Sequence, residues 1–171
     1  MQTKSTINSK KSTIYSESNT RWHNIYRKMT YSFAFRILDK YFKKMQLLKI
    51  LEIGSGAGFF LKFARDHYIK SRLFAIEYDT QLIDEAKHKT PFVNFIRCDA
   101  QEFDLATKNF DIIVSFQVIE HLSNPELMLQ CVKNHLNPKH GLFLFTTPNL
   151  SGLGVRIMKE RGVDTVMVIH L

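Results

Sequence analysis

Three glycines at alternate positions, Gly54, Gly56 and Gly58, follow an apolar run and precede a helical pattern in Lys49-Ile50-Leu51-Glu52-Ile53-Gly54-Ser55-Gly56-Ala57-Gly58-Phe59-Phe60-Leu61. A strand that turns sharply into a helix needs dihedrals that glycine adopts without cost. Bare backbone there also lets a ligand lie against the loop. The helix that follows points free N–H groups at that ligand and favours an anionic group on it. The spacing then selects among ligands. A dinucleotide fingerprint asks for G-x-G-x-x-G/A, but the third position falls on Phe59 counted from Gly54 and on Leu61 counted from Gly56. A nicotinamide or flavin site is therefore disfavoured.

Two acids extend the constellation. Glu77 closes the apolar run Arg72-Leu73-Phe74-Ala75-Ile76, 21 residues after Gly56. A carboxylate at that distance can accept from both hydroxyls of a ribose. Asp79, close behind, reads as a helix cap. Asp99 ends a third apolar run in Arg97-Cys98-Asp99-Ala100. It could accept from the exocyclic amine of an adenine, or be an ordinary loop acid.

As a set these residues resemble class I S-adenosylmethionine (SAM) dependent methyltransferases over roughly residues 48–150. The glycine loop resembles that family's first motif, E-x-G-x-G-x-G, here beginning at Glu52. Phe110-Asp111-Ile112-Ile113-Val114-Ser115-Phe116-Gln117-Val118-Ile119-Glu120-His121-Leu122 resembles the fourth-strand motif of the subgroup that reads V(I/L)EH, and Thr147-Pro148-Asn149 resembles its TPN. That subgroup includes ubiquinone-pathway O-methyltransferases and enzymes of glycan and lipid clusters. The resemblance implies SAM as cofactor. Glu52, Gly54, Ser55, Gly56 and Gly58 would serve its methionine end, Glu77 and Tyr78 the ribose, and Asp99 and Ala100 the adenine. Phe116 and Gln117 would line the cavity near the methyl group, and Arg36 would meet the SAM carboxylate. The expected reaction is methyl transfer, at oxygen, to a small-molecule, lipid or glycan acceptor.

Glu120 and His121 are the candidate catalytic pair. Three roles stay open: a general base at His121, a Glu–His pair orienting the loop, or ligation of a divalent metal as in relatives with E-x-x-E-H. In this chain Gln117 replaces the first acid, and a neutral amide weakens a hard-metal site, even with His170 as a distant ligand. No bound metal is expected. The fourth strand lacks the Asn/Asp-Pro-Pro-aromatic run of enzymes that methylate nucleobase amines, and Pro-Cys is absent too, so nucleic acid is not favoured as substrate.

The elements that must position these residues follow from periodicity. Strands are expected at 49–53, 72–77, 92–97, 111–116 and 142–147, with helices at 58–68, 80–89 and 125–136 and a turn at 137–141. Pro125 suits a helix start. The run at 111–116 is apolar throughout, as in a strand buried on both faces. Alternating βα units predict an α/β fold, a Rossmann-like doubly wound and mostly parallel sheet with about five recognisable strands of the family's usual seven. Ahead of it, Trp22, Tyr26, Met29, Phe33, Ile37 and Tyr41 recur at steps of three or four and predict a helical region over 19–46 whose aromatic face packs. Residues 1–18 read as a disordered basic tail and 47–150 as the SAM-binding core. Residues 151–171 read as an incomplete C-terminal segment, with one short strand within Val163–Leu171. On that reading the fifth strand is an exposed edge that a partner protein could complete. The alternative to an active enzyme is a non-catalytic or truncated SAM-binding module.

Composition sets the outer bounds. The 171 residues are 44% hydrophobic and 23% charged, ordinary values for one globular domain. Two cysteines, Cys98 and Cys131, make no disulfide framework and suit a reducing, cytoplasmic setting. No apolar run reaches the ~18–20 residues that span a bilayer. The net charge is +8. A solvated basic surface explains it plainly; attraction to nucleic acid, anionic lipid or a phosphorylated substrate is the alternative.

Overall fold

The computed structural model describes residues 21–147 and 167–170. The expected tail at 1–18, Pro148, Asn149 and most of the 151–171 segment lie outside the described residues. The chain divides into two compact units, residues 1–42 and 43–171.

In the first unit, α1 runs Arg21–Leu38. Tyr31, Ala34, Phe35 and Leu38 form its buried face. The expected aromatic stripe is not that face: Tyr26, Met29, Phe33 and Tyr41 are exposed. Both sets recur at helical spacing, so periodicity alone could not say which one is inside. The helix also ends earlier than expected. Tyr41 N–H and Phe42 N–H donate to Leu38 O at 2.9 Å each, closing it in tight turns.

In the second unit, β1 (Lys49–Ile53), α2 (Phe59–His67), β2 (Arg72–Glu77), α3 (Thr80–Lys89), β3 (Val93–Arg97), β4 (Ile112–Phe116), α4 (Pro125–His135) and β5 (Leu142–Thr147) alternate as the βα pattern predicts. Asp79 caps α3 as expected, its side chain accepting from Gln81 N–H at 2.8 Å and Leu82 N–H at 3.3 Å. Pro125 opens α4, where its missing donor costs nothing. Gly141 closes the turn before β5. A Cβ there would lie 2.6 Å from Asn137 O, too close for any other residue without movement.

The sheet order is β3-β2-β1-β4-β5, all parallel, with a last strand beyond β5. β6, Met167–His170, lies antiparallel along β5, pairing Leu144 with His170 and Thr147 with Met167. The short C-terminal strand expected from the sequence therefore exists. The exposed fifth-strand edge does not, because the chain covers β5 itself. Strands β1, β4 and β5 are buried along nearly their whole length. Leu51, Ile53, Ile113, Phe143 and Phe145 of these strands join Phe74, Ile76, Phe103, Phe110, Met128 and Val132 in one cluster. Burying each large apolar side chain contributes ~1.5–3 kcal/mol, against ~1 kcal/mol for a typical hydrogen bond. That cluster therefore fixes where the strand ends, and the site on them, must lie. Strand order reverses between β1 and β4, so the C-terminal ends of those two strands form the topological switch point where such sheets bind ligands.

Candidate functional site

The glycine loop leaves β1 at the switch point. Gly54 N–H and Ser55 N–H both donate to Ile76 O of β2, at 2.8 and 3.1 Å, which pins the loop across two strands. All three glycines lie in the left-handed region, with φ of 70°, 51° and 76° at Gly54, Gly56 and Gly58. Their surroundings differ. A Cβ on Gly54 would come 2.4 Å from Val118 Cγ2, and one on Gly58 would lie 3.2 Å from Ala86 Cβ and from Thr90 Oγ1. A Cβ on Gly56 would meet nothing within 4 Å. Packing thus excludes a side chain at Gly54 and leaves little room for one at Gly58, whereas the face of Gly56 opens onto free space.

Glu77 holds the loop in that shape. Its Oε2 accepts Gly56 N–H at 2.8 Å, and its Oε1 accepts Tyr78 N–H at 2.8 Å and Asp79 N–H at 3.0 Å. A carboxylate offers about four acceptor positions, so three amides leave room for one further donor. Tyr78 beside it is exposed. Two residues before Gly54, Glu52 is buried in the central strand, and its Oε2 has no hydrogen-bond partner. Burial first, and the charge of Glu77 second, push its carboxyl well above the usual carboxylate range. Ser55 is buried as well, with an unpartnered Oγ.

At the end of β4, Ser115 Oγ donates to Ile53 O at 3.3 Å, joining the ends of the two central strands. Phe116 packs its ring on Phe60, centroids 4.9 Å apart. Gln117 takes a left-handed conformation, φ 56°. Its N–H donates to Thr146 O at 3.0 Å and its Nε2 to Thr146 Oγ1 at 3.4 Å. A non-glycine residue in that region carries strain that its neighbours must hold, and such residues cluster at functional sites.

Asp99 opens the loop after β3. Its Oδ1 accepts Gln101 N–H at 2.8 Å and Gln101 Nε2 at 3.4 Å. The Oε1 of Gln101 then accepts Asn124 N–H at 2.7 Å and Ser123 Oγ at 3.0 Å. This chain ties the loop of Asp99 and Ala100 to the start of α4. Cys98 and Cys131 are free and half-buried against the core cluster, and burial raises the Cys98 thiol above its ordinary range. The loop is anchored further by His135, whose buried Nε2 accepts Leu105 N–H at 2.9 Å while Nδ1 donates to Cys131 O at 2.7 Å.

The structure therefore gathers Glu52, Gly54, Ser55, Gly56, Gly58, Glu77, Phe116 and Gln117 around the β1–β4 switch. It places Asp99 and Ala100 just past the C-terminal end of β3. Glu120 and His121 lie on a 3-10 turn, Ile119–His121, and both are exposed. Among the described residues no group of three or more His, Cys, Asp or Glu is arranged to hold a metal. Arg36 is exposed in the last turn of α1, in the other unit. Sequence reasoning missed Val118 and Thr146. Val118 sits one residue past Gln117 and fills the space that Gly54 leaves, and Thr146 holds Gln117.

The family described as "Methyltransferase domain" matches residues 22–164. A protein of Mycolicibacterium smegmatis named probable S-adenosylmethionine-dependent methyltransferase is 31% identical over 117 residues, 68% of this chain and 42% of that protein. A malonyl-[acyl-carrier protein] O-methyltransferase of Bacillus cereus is 26% identical over 131 residues, 76% of this chain and 48% of that one. The chain thus spans less than half the length of these two relatives. Among solved structures, the plantazolicin methyltransferase BpumL with a triazolic desmethylPZN analog and SAH superposes with a TM-score of 0.62 at 22% identity, covering 81% of this chain and 52% of that one, which shows a shared fold. The glycine loop, the acid that ends β2 and the match over residues 22–164 agree: the chain belongs to the methyltransferase domain family.

Proposed function

We propose that this chain binds SAM at the carboxyl ends of β1 to β4 and transfers its methyl group to an oxygen of a small-molecule, lipid or glycan acceptor. The observation that carries the proposal is the open face of Gly56, held by Glu77 at 2.8 Å. The loop is shaped by packing at two glycines and kept clear at the third. The O-methyltransferase among the relatives supports oxygen as the acceptor atom.

When bound, SAM supplies a methyl group already activated by the positive sulfur, with a neutral thioether as leaving group. The chain's own residues then bind, align and exclude water. Glu52, its carboxyl pushed well above the usual carboxylate range by burial and carrying an orphan oxygen, suits a hydrogen bond to the ammonium or its hydration shell at the amino-acid end. Ser55 Oγ is a second unpartnered group there. Glu77 has acceptor capacity left for a ribose hydroxyl, with Tyr78 beside it. Asp99 and Ala100 suit the adenine. Phe116 and Gln117 would border the methyl, with Gln117 fixed by Thr146. Alignment alone can contribute ~7–11 kcal/mol. A base matters chiefly for an acceptor hydroxyl of high pKa, where it is worth about 10²–10⁴-fold. His121, with Glu120, is the candidate for that role or for orienting the acceptor.

The test is calorimetric titration with SAM and S-adenosylhomocysteine, with NAD as control, followed by turnover against candidate hydroxyl and carboxyl acceptors. Saturable SAM binding abolished by Glu77→Ala is the expected result. NAD binding in preference to SAM, or no binding by the folded chain, would overturn the reading. A second reading is a SAM-binding module without turnover, which the exposure of both Glu120 and His121 on their 3-10 turn favours. It predicts binding and no product with any acceptor.

A further inference from the structure

The exposed face of α1 is apolar and lies opposite the buried one. At 100° per residue, Ile25, Met29 and Phe33 stack at four-residue steps into one ridge, about half a turn away from Tyr31, Ala34, Phe35 and Leu38. These three are 40%, 69% and 47% exposed. Cations lie beside the ridge on one flank and at its C-terminal end. Arg36 falls on the same face, Lys28 beside it and Lys40 just past the helix end, and all three are exposed.

Charge is concentrated in the same part of the chain. Residues 1–42 carry eight Lys or Arg and two acids, Glu17 and Asp39, a net +6 of the chain's +8. The remaining 129 residues are nearly neutral, with 16 Lys or Arg against 14 acids. Such asymmetry points to an anionic partner. An apolar ridge bordered by cations is what a lipid interface takes up and a phosphate backbone does not need. A second copy of the chain would bring two strongly positive units face to face, at a repulsive cost.

We propose that α1 is a docking surface for an anionic lipid bilayer, lying in the interface plane with Ile25, Met29 and Phe33 among the acyl chains and Lys28, Arg36 and Lys40 at the headgroups. The inference is independent of the methyl-transfer reading, since it concerns a different unit and a different ligand.

Cosedimentation of the full chain with equimolar phosphatidylcholine–phosphatidylserine vesicles, against pure phosphatidylcholine, tests it. Retention on the anionic vesicles and release by raised salt are expected. Lys28→Ala and Lys40→Ala should each lower partitioning about fivefold, the factor that corresponds to one Lys or Arg near an anionic surface. Met29→Glu should remove most of the binding. All three positions are exposed, so the variants should keep the wild-type melting temperature and any SAM affinity. Four results would each overturn the proposal: no retention by the folded wild-type chain, equal retention on neutral vesicles, binding indifferent to Met29→Glu, or a dimer that Met29→Glu dissolves. Displacement from vesicles by duplex DNA that is itself bound through Met29 would equally overturn it and assign the face to nucleic acid.

Discussion

Replacing the loop glycines one at a time by alanine separates packing from ligand access. All three residues hold a left-handed φ, and an alanine there costs ~1–2 kcal/mol. For Gly56→Ala that is the whole cost, because the new methyl meets nothing within 4 Å. At about 2–4 °C per kcal/mol for a chain of this size, the melting temperature should fall by roughly 2–8 °C. Gly54→Ala adds a contact of 2.4 Å to Val118 Cγ2, an overpacking term of ~1–3 kcal/mol, for a total of ~2–5 kcal/mol. Val118→Ala should relieve part of that overlap, giving a coupling of ~0.5–3 kcal/mol in the double-mutant cycle. Binding should rank the other way. Gly56→Ala keeps the fold and should lose at least tenfold in SAM affinity, about 1.4 kcal/mol. The assays are thermal melting of the three glycine variants, Val118→Ala and the Gly54→Ala/Val118→Ala double variant, and calorimetric titration of Gly56→Ala. If Gly56→Ala destabilises as much as Gly54→Ala, or binds SAM within twofold of wild type, the assignment of the open face to the cofactor is wrong.

Further outcomes follow from the same geometry. Glu77→Gln replaces a carboxylate that takes three backbone amides; losing charge-assisted bonds worth ~1.5–3 kcal/mol each should weaken SAM binding more than tenfold, read by calorimetry. Glu52 has its folded pKa raised, so the native state binds more protons than the unfolded chain above the ordinary carboxylate range, and stability is lost as pH rises from that range towards the raised value. The melting temperature of Glu52→Gln minus that of wild type should therefore increase with pH in a ligand-free scan, and a flat difference would refute the buried-acid assignment. His135→Ala strands the Leu105 amide and opens a cavity beside Phe103, predicting ~2–4 kcal/mol lost in a urea melt.

The second unit was legible because its signals are local. Each strand is an apolar run bounded by turn residues, and Asp79 and Pro125 mark helix starts by their own chemistry. The acid that ends β2 was legible as a position. Its three amide contacts were not, because backbone donors leave no trace in side-chain identity. The left-handed Gln117 was equally hidden: no glycine or asparagine marks the place, and the strain is held by Thr146, 29 residues away. The face of α1 was misassigned because two apolar stripes share the same period, and the more aromatic one lies outside. The C-terminal strand could be read as a strand. Its antiparallel place beside β5 depends on a pairing between distant segments that no local pattern encodes.

The reversal of strand order has a consequence for how the protein forms. Ile50 of β1 pairs with Ile112 of β4, 62 positions later, although β2 and β3 are made first. During synthesis the glycine loop therefore emerges long before β4, whose Ser115 bonds Ile53, and before Val118 just past that strand, which packs against Gly54. Until then one flank of β1 has no neighbour, and pairing across such a loop is slow. A nascent chain halted before Ile112 carries the whole E-x-G-x-G-x-G signature and should be blind to the cofactor. Acquisition of SAM affinity during translation would then time the joining of the two halves of the sheet.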